Sequence, residues 1–181
     1  KEFRVFNEQS LYKGIQSIDW SDYLSNNKTF VIDTTVNSDI FNHSQFVALK
    51  AKDAIVDQFT EKFGSRPNVD SKEPDLRVLV RIVDNFVNVA IDTTGEPLSK
   101  RGYRVKTVPA PLRENIAAAL LKMAEWDGKT PIVDPMCGSG TIPIEAALIA
   151  RNIAPGVFRK EFAFERWKDF DQELFDNIYN D

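Results

Sequence analysis

An α/β fold in two parts is predicted by three stretches of the sequence. Between His43 and Phe63 apolar residues recur every three or four positions. From Leu76 to Ile91 two alternating runs flank a tight turn. From Pro131 to Ala147 an aliphatic run passes through a glycine turn into a helix.

In chain order, Phe3 to Phe6 predicts a short strand. Leu11, Ile15 and Ile18 predict a helical segment ending near Trp20, and Thr29 to Thr34 a second strand. The helix over 43–63 carries a stripe of Val47, Ala51, Ala54, Ile55, Phe59 and Phe63, stopped by Gly64 with Pro67 beyond. Leu76, Val78, Val80 and Ile82 alternate with Arg77 and Arg81 as a half-buried strand. Asp84-Asn85 suits a turn with positive φ, and Val87, Val89 and Ile91 form the returning strand. The first half is thus a small unit of roughly β-α-β-β order.

Pro97, Gly102, Pro109 and Pro111 break regular structure and mark a linker over 97–110. A helix follows over 112–126, with Ile116, Leu120 and Ala124 on one stripe and Ala117 and Leu121 beside it, bounded by Pro111 and Gly128. Ile132 and Val133 predict a buried strand, and a helix starts near Thr141, where Pro143 fits the first turn. Phe162, Phe164 and Trp167 read as core or interface, and 170–179 as a last short helix.

The 181 residues allow one domain or two small ones, and 43% hydrophobic residues suffice for a core. With 23 basic and 27 acidic side chains the net charge is −4, so bulk charge does not hold this protein to nucleic acid and any such contact is local. One Cys and one His exclude a disulfide framework and a zinc site built within the chain. Neither an apolar run of about 18 residues nor a signal peptide is present, so a cytoplasmic setting is expected, with no metal and no membrane partner.

Within Asp134 to Thr141, Gly138 and Gly140 allow a sharp bend and close approach of a ligand, at the mouth of a helix with free N–H groups. A phosphate loop would need Lys after its second glycine, and a dinucleotide fingerprint a glycine where Pro143 stands. Asp134 can accept from an ammonium or cap the turn itself. Ser139 and Thr141 can touch ligand or cap the helix. Cys137 has no nearby His and reads as a small filler rather than a nucleophile, and Glu145 as structural. In the linker, Lys100, Arg101, Arg104 and Lys106 surround Tyr103 with no acidic residue from Leu98 to Val108, a pattern suited to phosphate contact and base stacking or to a solvated connector.

The run from Asp134 to Ala147, with 110–115 before it, resembles the S-adenosylmethionine (SAM) motif of class I amino-methyltransferases. It is most similar to the bacterial THUMP-domain family that methylates guanine N2 of large-subunit ribosomal RNA, often labelled N6-adenine-specific DNA methylases. Gln45, Lys52 to Val56, and Asp92 to Gly95 with Leu98 match the THUMP pattern. The resemblance implies a THUMP domain over 1–96, the basic linker over 97–110, and the start of a Rossmann-like methyltransferase domain over 111–181. It implies SAM as cofactor, near Asp134, Pro135, Cys137, Gly138, Ser139, Gly140, Thr141, Pro111, Leu112 and Glu114, and RNA near Lys100, Arg101, Tyr103, Arg104 and Lys106. The rival readings are an adenine-specific DNA methyltransferase and a non-catalytic RNA-binding module.

The family's catalytic Asn/Asp-Pro-Pro-Tyr/Phe loop is missing, since no Pro-Pro pair occurs. The acidic residue expected to hold the SAM ribose is also missing, and the chain starts without Met. An inactive fragment with no catalytic residue of its own is therefore expected.

Overall fold

The computed structural model describes residues 1–105 and 110–180. They form two compact units, Lys1–Gly95 with Phe162–Asp181, and Glu96–Glu161.

The first unit is a five-stranded sheet with helices on one face. In chain order its elements are β1 (Glu2–Arg4), α1 (Glu8–Gln16), β2 (Thr29–Asn37), α2 (Ser44–Phe63), β3 (Asn68–Val69), β4 (Leu76–Val83) and β5 (Phe86–Ile91). The strand order is β1-β5-β4-β2-β3, with β2 parallel to β3 and β4, and β5 antiparallel to β1 and β4. Asp84, at φ +52°, makes the β4–β5 turn, as its residue type predicts. The two-residue β3 has no periodic signature and was not anticipated from the sequence.

Local chemistry sets the helix ends. Asn7 Oδ1 accepts from the Ser10 N–H at 2.9 Å while Ser10 Oγ accepts from the Asn7 N–H at 3.0 Å, a reciprocal cap that starts α1. Gly64, at φ +68°, ends α2 in the left-handed conformation. The inward face of β4 (Leu76, Val78, Val80, Ile82) meets Leu11, Ile15, Ile55 and Phe59 in one apolar core with Phe30. Each such side chain contributes about 1.5–3 kcal/mol on burial.

Gln58 is a polar exception on α2, buried within that core. Its Oε1 accepts from the Trp20 N–H at 2.9 Å, and its Nε2 donates to the Gln16 and Ile18 carbonyls at 2.9 and 2.8 Å. It completes the backbone bonding where the chain leaves α1. Asp75, ahead of β4, accepts from the Thr29 N–H (2.7 Å), the Thr29 hydroxyl (2.9 Å) and Lys28 Nζ (3.0 Å). Partial burial pushes its carboxyl pKa up, but these donors outweigh burial and hold it below the usual carboxylate range.

By contact, residues 162–180 cluster with the first unit. Trp167 packs against the sheet-and-helix core, the Phe164 N–H donates to the Thr93 carbonyl at 3.1 Å, and Lys28 Nζ donates to the Arg166 carbonyl at 3.0 Å. Phe164, Phe170 and Phe175 cluster with ring centroids 5.5–5.9 Å apart, leading into α5 (Gln172–Asn180). The sequence reading of Phe162, Phe164 and Trp167 as core or interface does not say which core they join.

The second unit holds α3 (Glu114–Met123) and α4 (Thr141–Ala150), which bury Ala117 and Leu121, and Ala146 and Leu148. The strand expected over 131–134 is not formed: Ile132 and Val133 are 38% and 86% exposed. A strand needs a neighbour to accept its backbone bonds, and among the described residues this unit contains no other strand. No helix among the described residues is long and apolar enough to cross a membrane.

Two outcomes follow for stability. Gln58→Met strands a buried N–H and two carbonyls and lowers unfolding stability by about 2–4 kcal/mol in urea titration. Asp75→Asn costs about 1–2 kcal/mol at pH 7. Because the folded pKa of Asp75 lies below the unfolded value of about 3.9, its contribution is present above that value and is lost as pH falls through the folded pKa. The stability gap between wild type and Asp75→Asn therefore narrows between pH 6 and pH 3.

Candidate functional site

The turn from Asp134 to Thr141 is an open bend. Asp134 Oδ1 accepts from the Met136 N–H at 3.2 Å, and the Gly140 N–H donates to the Cys137 carbonyl at 2.7 Å. Gly138 and Gly140 stand at φ +54° and +76°, where a side chain is strained. A Cβ placed on Gly138 meets no atom within 4 Å, and one on Gly140 only the Ile144 side chain at 3.7 Å, so there is open space beside both glycines. Cys137 is an exposed free thiol. Gly140 is the N-cap of α4 and supplies no side-chain cap, so the first-turn N–H groups of Thr141 and Ile142 face the bend without an intrahelical acceptor. Pro143 sits in that first turn, where its missing N–H breaks no helical bond.

Two buried carboxylates organise the surroundings. Glu145, on α4, is 2% exposed. It accepts from Arg101 Nε and Nη2, both at 3.4 Å, and from the Tyr103 hydroxyl at 3.0 Å. Burial first, and then the hydrogen bond to Glu145, push the Tyr103 phenol well above its ordinary pKa. Glu114, at the start of α3, accepts from Arg104 Nε at 3.1 Å. The Arg104 fork also donates to Ser139 Oγ (3.1 Å), the Leu112 carbonyl (3.1 Å) and Thr141 Oγ1 (3.3 Å). Ser139 and Thr141 therefore do not cap α4, and their hydroxyls lie 3.3 Å apart.

One guanidinium thus gathers Leu112 and Glu114 beside Ser139 and Thr141, bringing the two expected cofactor-site stretches together. Pro111 lies half-buried just ahead of α3, and Pro135 is exposed in the bend. Of the side chains expected near RNA, Arg101, Tyr103 and Arg104 have these intramolecular acceptors. Lys100 pairs with Glu96 at 2.9 Å on the surface, and Lys106 lies outside the described residues. Sequence reasoning left the partners of Glu145 and Arg104 unidentified. The available signal was a lone carboxylate in the otherwise apolar helix 141–150, which needs a buried cation. Among the described residues no group of three or more His, Cys, Asp or Glu side chains could hold a metal ion.

The chain thus holds an α/β unit and, later in sequence, a glycine bend before a helix. Residues 6–92 match the family model of the THUMP domain, and residues 101–179 that of the RMKL-like methyltransferase domain. The chain carries a THUMP domain followed in sequence by an RMKL-like methyltransferase domain. A Synechocystis sp. relative, named "Putative RNA methyltransferase", is 44% identical over 175 residues, covering 97% of this chain and 46% of the relative. The crystal structure of SMU.472, "a putative methyltransferase complexed with SAH", superposes with a TM-score of 0.87 at 34% identity over 99% of this chain and 48% of its own. A Listeria monocytogenes structure, called "a predicted N6-adenine-specific DNA methylase", has a TM-score of 0.88 at 32% identity, with 99% and 47% coverage. The chain spans about half the length of the relatives it matches.

The Arg101–Glu145 pair yields a stability prediction. Arg101→Met leaves a buried carboxylate unpaired and destabilises the chain by about 3–5 kcal/mol, whereas the double change Arg101→Met with Glu145→Leu recovers most of that loss in chemical denaturation.

Proposed function

We propose that the protein to which this chain belongs is a SAM-dependent RNA methyltransferase acting on an exocyclic base amine, guanine N2 of large-subunit ribosomal RNA, in cytoplasmic ribosomal RNA processing. The observation that carries the reading is the open space beside both glycines of the bend at the mouth of α4, in a chain that also holds a THUMP domain. The bend fits the cofactor: missing Cβ atoms leave room, Asp134 offers an acceptor for an ammonium, and helix-start N–H groups offer donors to a carboxylate. Gly138, Gly140, Ser139 and Thr141 would form the floor, with Pro135 and Cys137 at its rim and Pro111, Leu112 and Glu114 behind it.

When bound, SAM supplies an electrophilic methyl group on a sulfonium. The chain's contribution is to seat and orient it and to keep the bend's backbone donors in place, so catalysis rests on positioning and electrostatics. A base amine buried in a helical stack must be extruded to reach such a site. Among the described residues of the linker segment, Lys100 is the basic side chain at the surface, while Arg101, Tyr103 and Arg104 serve Glu145 and Glu114.

A second reading, an N6-adenine-specific DNA methyltransferase, is favoured only by the name of the Listeria structure. A non-catalytic RNA-binding module has the THUMP domain in its favour but leaves the glycine bend without a use. The full-length protein decides. Methyl transfer from labelled SAM is expected to under-methylated ribosomal RNA and not to duplex DNA, and Asp134→Ala is expected to weaken S-adenosylhomocysteine (SAH) binding about tenfold or more in calorimetry. Transfer to DNA alone selects the adenine reading, and SAH binding indifferent to Asp134 removes the assigned cofactor role of that residue.

A further inference from the structure

We infer that Arg104 is a positioning residue for the cofactor bend, a strut that fixes its geometry from outside. The inference rests on the cofactor reading above.

Three observations carry it. First, the hydrogen bonds to the bend's own backbone, Asp134–Met136 and Cys137–Gly140, involve neither Ser139 nor Thr141. Gly140, the N-cap of α4, makes no side-chain cap, and a Cβ placed on Gly138 would meet no atom within 4 Å. Second, the two hydroxyls that flank Gly140 both accept from the Arg104 fork, through Nη1 to Ser139 and Nη2 to Thr141. Thr141 is 4% exposed, so its hydroxyl has little water to turn to. Third, the same guanidinium is tied by Nε to Glu114 and by Nη2 to the Leu112 carbonyl, with 16% of the Arg104 side chain and 12% of the Glu114 side chain exposed.

A planar fork held by a carboxylate on one edge imposes a fixed direction on its remaining donors, which a flexible ammonium does not. Because the charge of Arg104 is balanced by Glu114 and its donors are engaged, it acts on the cofactor through Ser139 and Thr141 and not as an anion-binding group. Arg104, which the sequence places among residues suited to a nucleic-acid contact or a solvated connector, thereby has a role in setting the cofactor turn.

The test uses the full-length protein, SAH as the probe in calorimetry, and the melting temperature without ligand. Arg104→Gln is expected to weaken SAH binding about tenfold or more, the scale of one charge-assisted hydrogen bond. Arg104→Lys, which keeps the charge opposite Glu114 and loses the fork, is expected to recover part of that loss. Ser139→Ala is expected to weaken binding on its own, and the double variant Arg104→Gln with Ser139→Ala to bind no more weakly than Arg104→Gln alone, since both act on one link. SAH affinity within twofold of wild type in Arg104→Gln overturns the inference, as do fully multiplicative losses in the double variant. Should Arg104→Gln not fold, Arg104→Lys combined with Ser139→Ala decides by the same comparison. If wild type itself does not bind SAH, the cofactor reading falls and this inference with it. If wild type binds and Arg104→Gln binds equally well, only the strut falls.

Discussion

Two carboxylates that cannot remain buried alone govern the second unit. Glu145 sits on an otherwise apolar helix, and Glu114 at the start of the helix before it. Desolvating either without a partner is costly, so each draws an arginine from the stretch between Pro97 and Val105. An irregular segment with little apolar content is thereby fixed against two helices by ion pairs and hydrogen bonds. The glycine bend is tied to this frame through the hydroxyls of Ser139 and Thr141.

The first unit solves a similar problem with neutral groups. Where the chain leaves α1, the Trp20 N–H and the carbonyls of Gln16 and Ile18 lie beside α2, and one amide side chain satisfies all three. A neutral amide suits this place because it offers a donor and an acceptor together without the desolvation cost of a charge. Both units therefore depend on a few buried polar side chains that complete the bonding of irregular backbone.

Much of this was legible in the sequence because it follows from periodicity. The stripe of α2, the alternation along β4 and β5, the turn at Asp84 and the start of α4 at Thr141 each arise from local pattern and local conformational preference, and the structure carries them. The glycine bend was legible because few residue types tolerate positive φ. Partner choice was not. Nothing in the spacing of Arg101 and Arg104 says that they meet Glu145 and Glu114 instead of a phosphate, and nothing in Trp167 says which core it enters. The strand over 131–134 failed for a related reason: β structure depends on a neighbour that local sequence does not contain.

Internal pairing also alters how the basic segment can behave toward a polyanion. Nucleic-acid binding gains much of its free energy when protein cations displace condensed counterions from phosphates, and a guanidinium already neutralised by a buried carboxylate has no such exchange to offer. The segment shows Lys100, Arg101 and Arg104 on paper, yet all three are paired within the chain, Lys100 with Glu96 at the surface and the two arginines with buried carboxylates. Any grip it has on RNA draws on fewer released ions than its composition implies, and so responds less steeply to added salt.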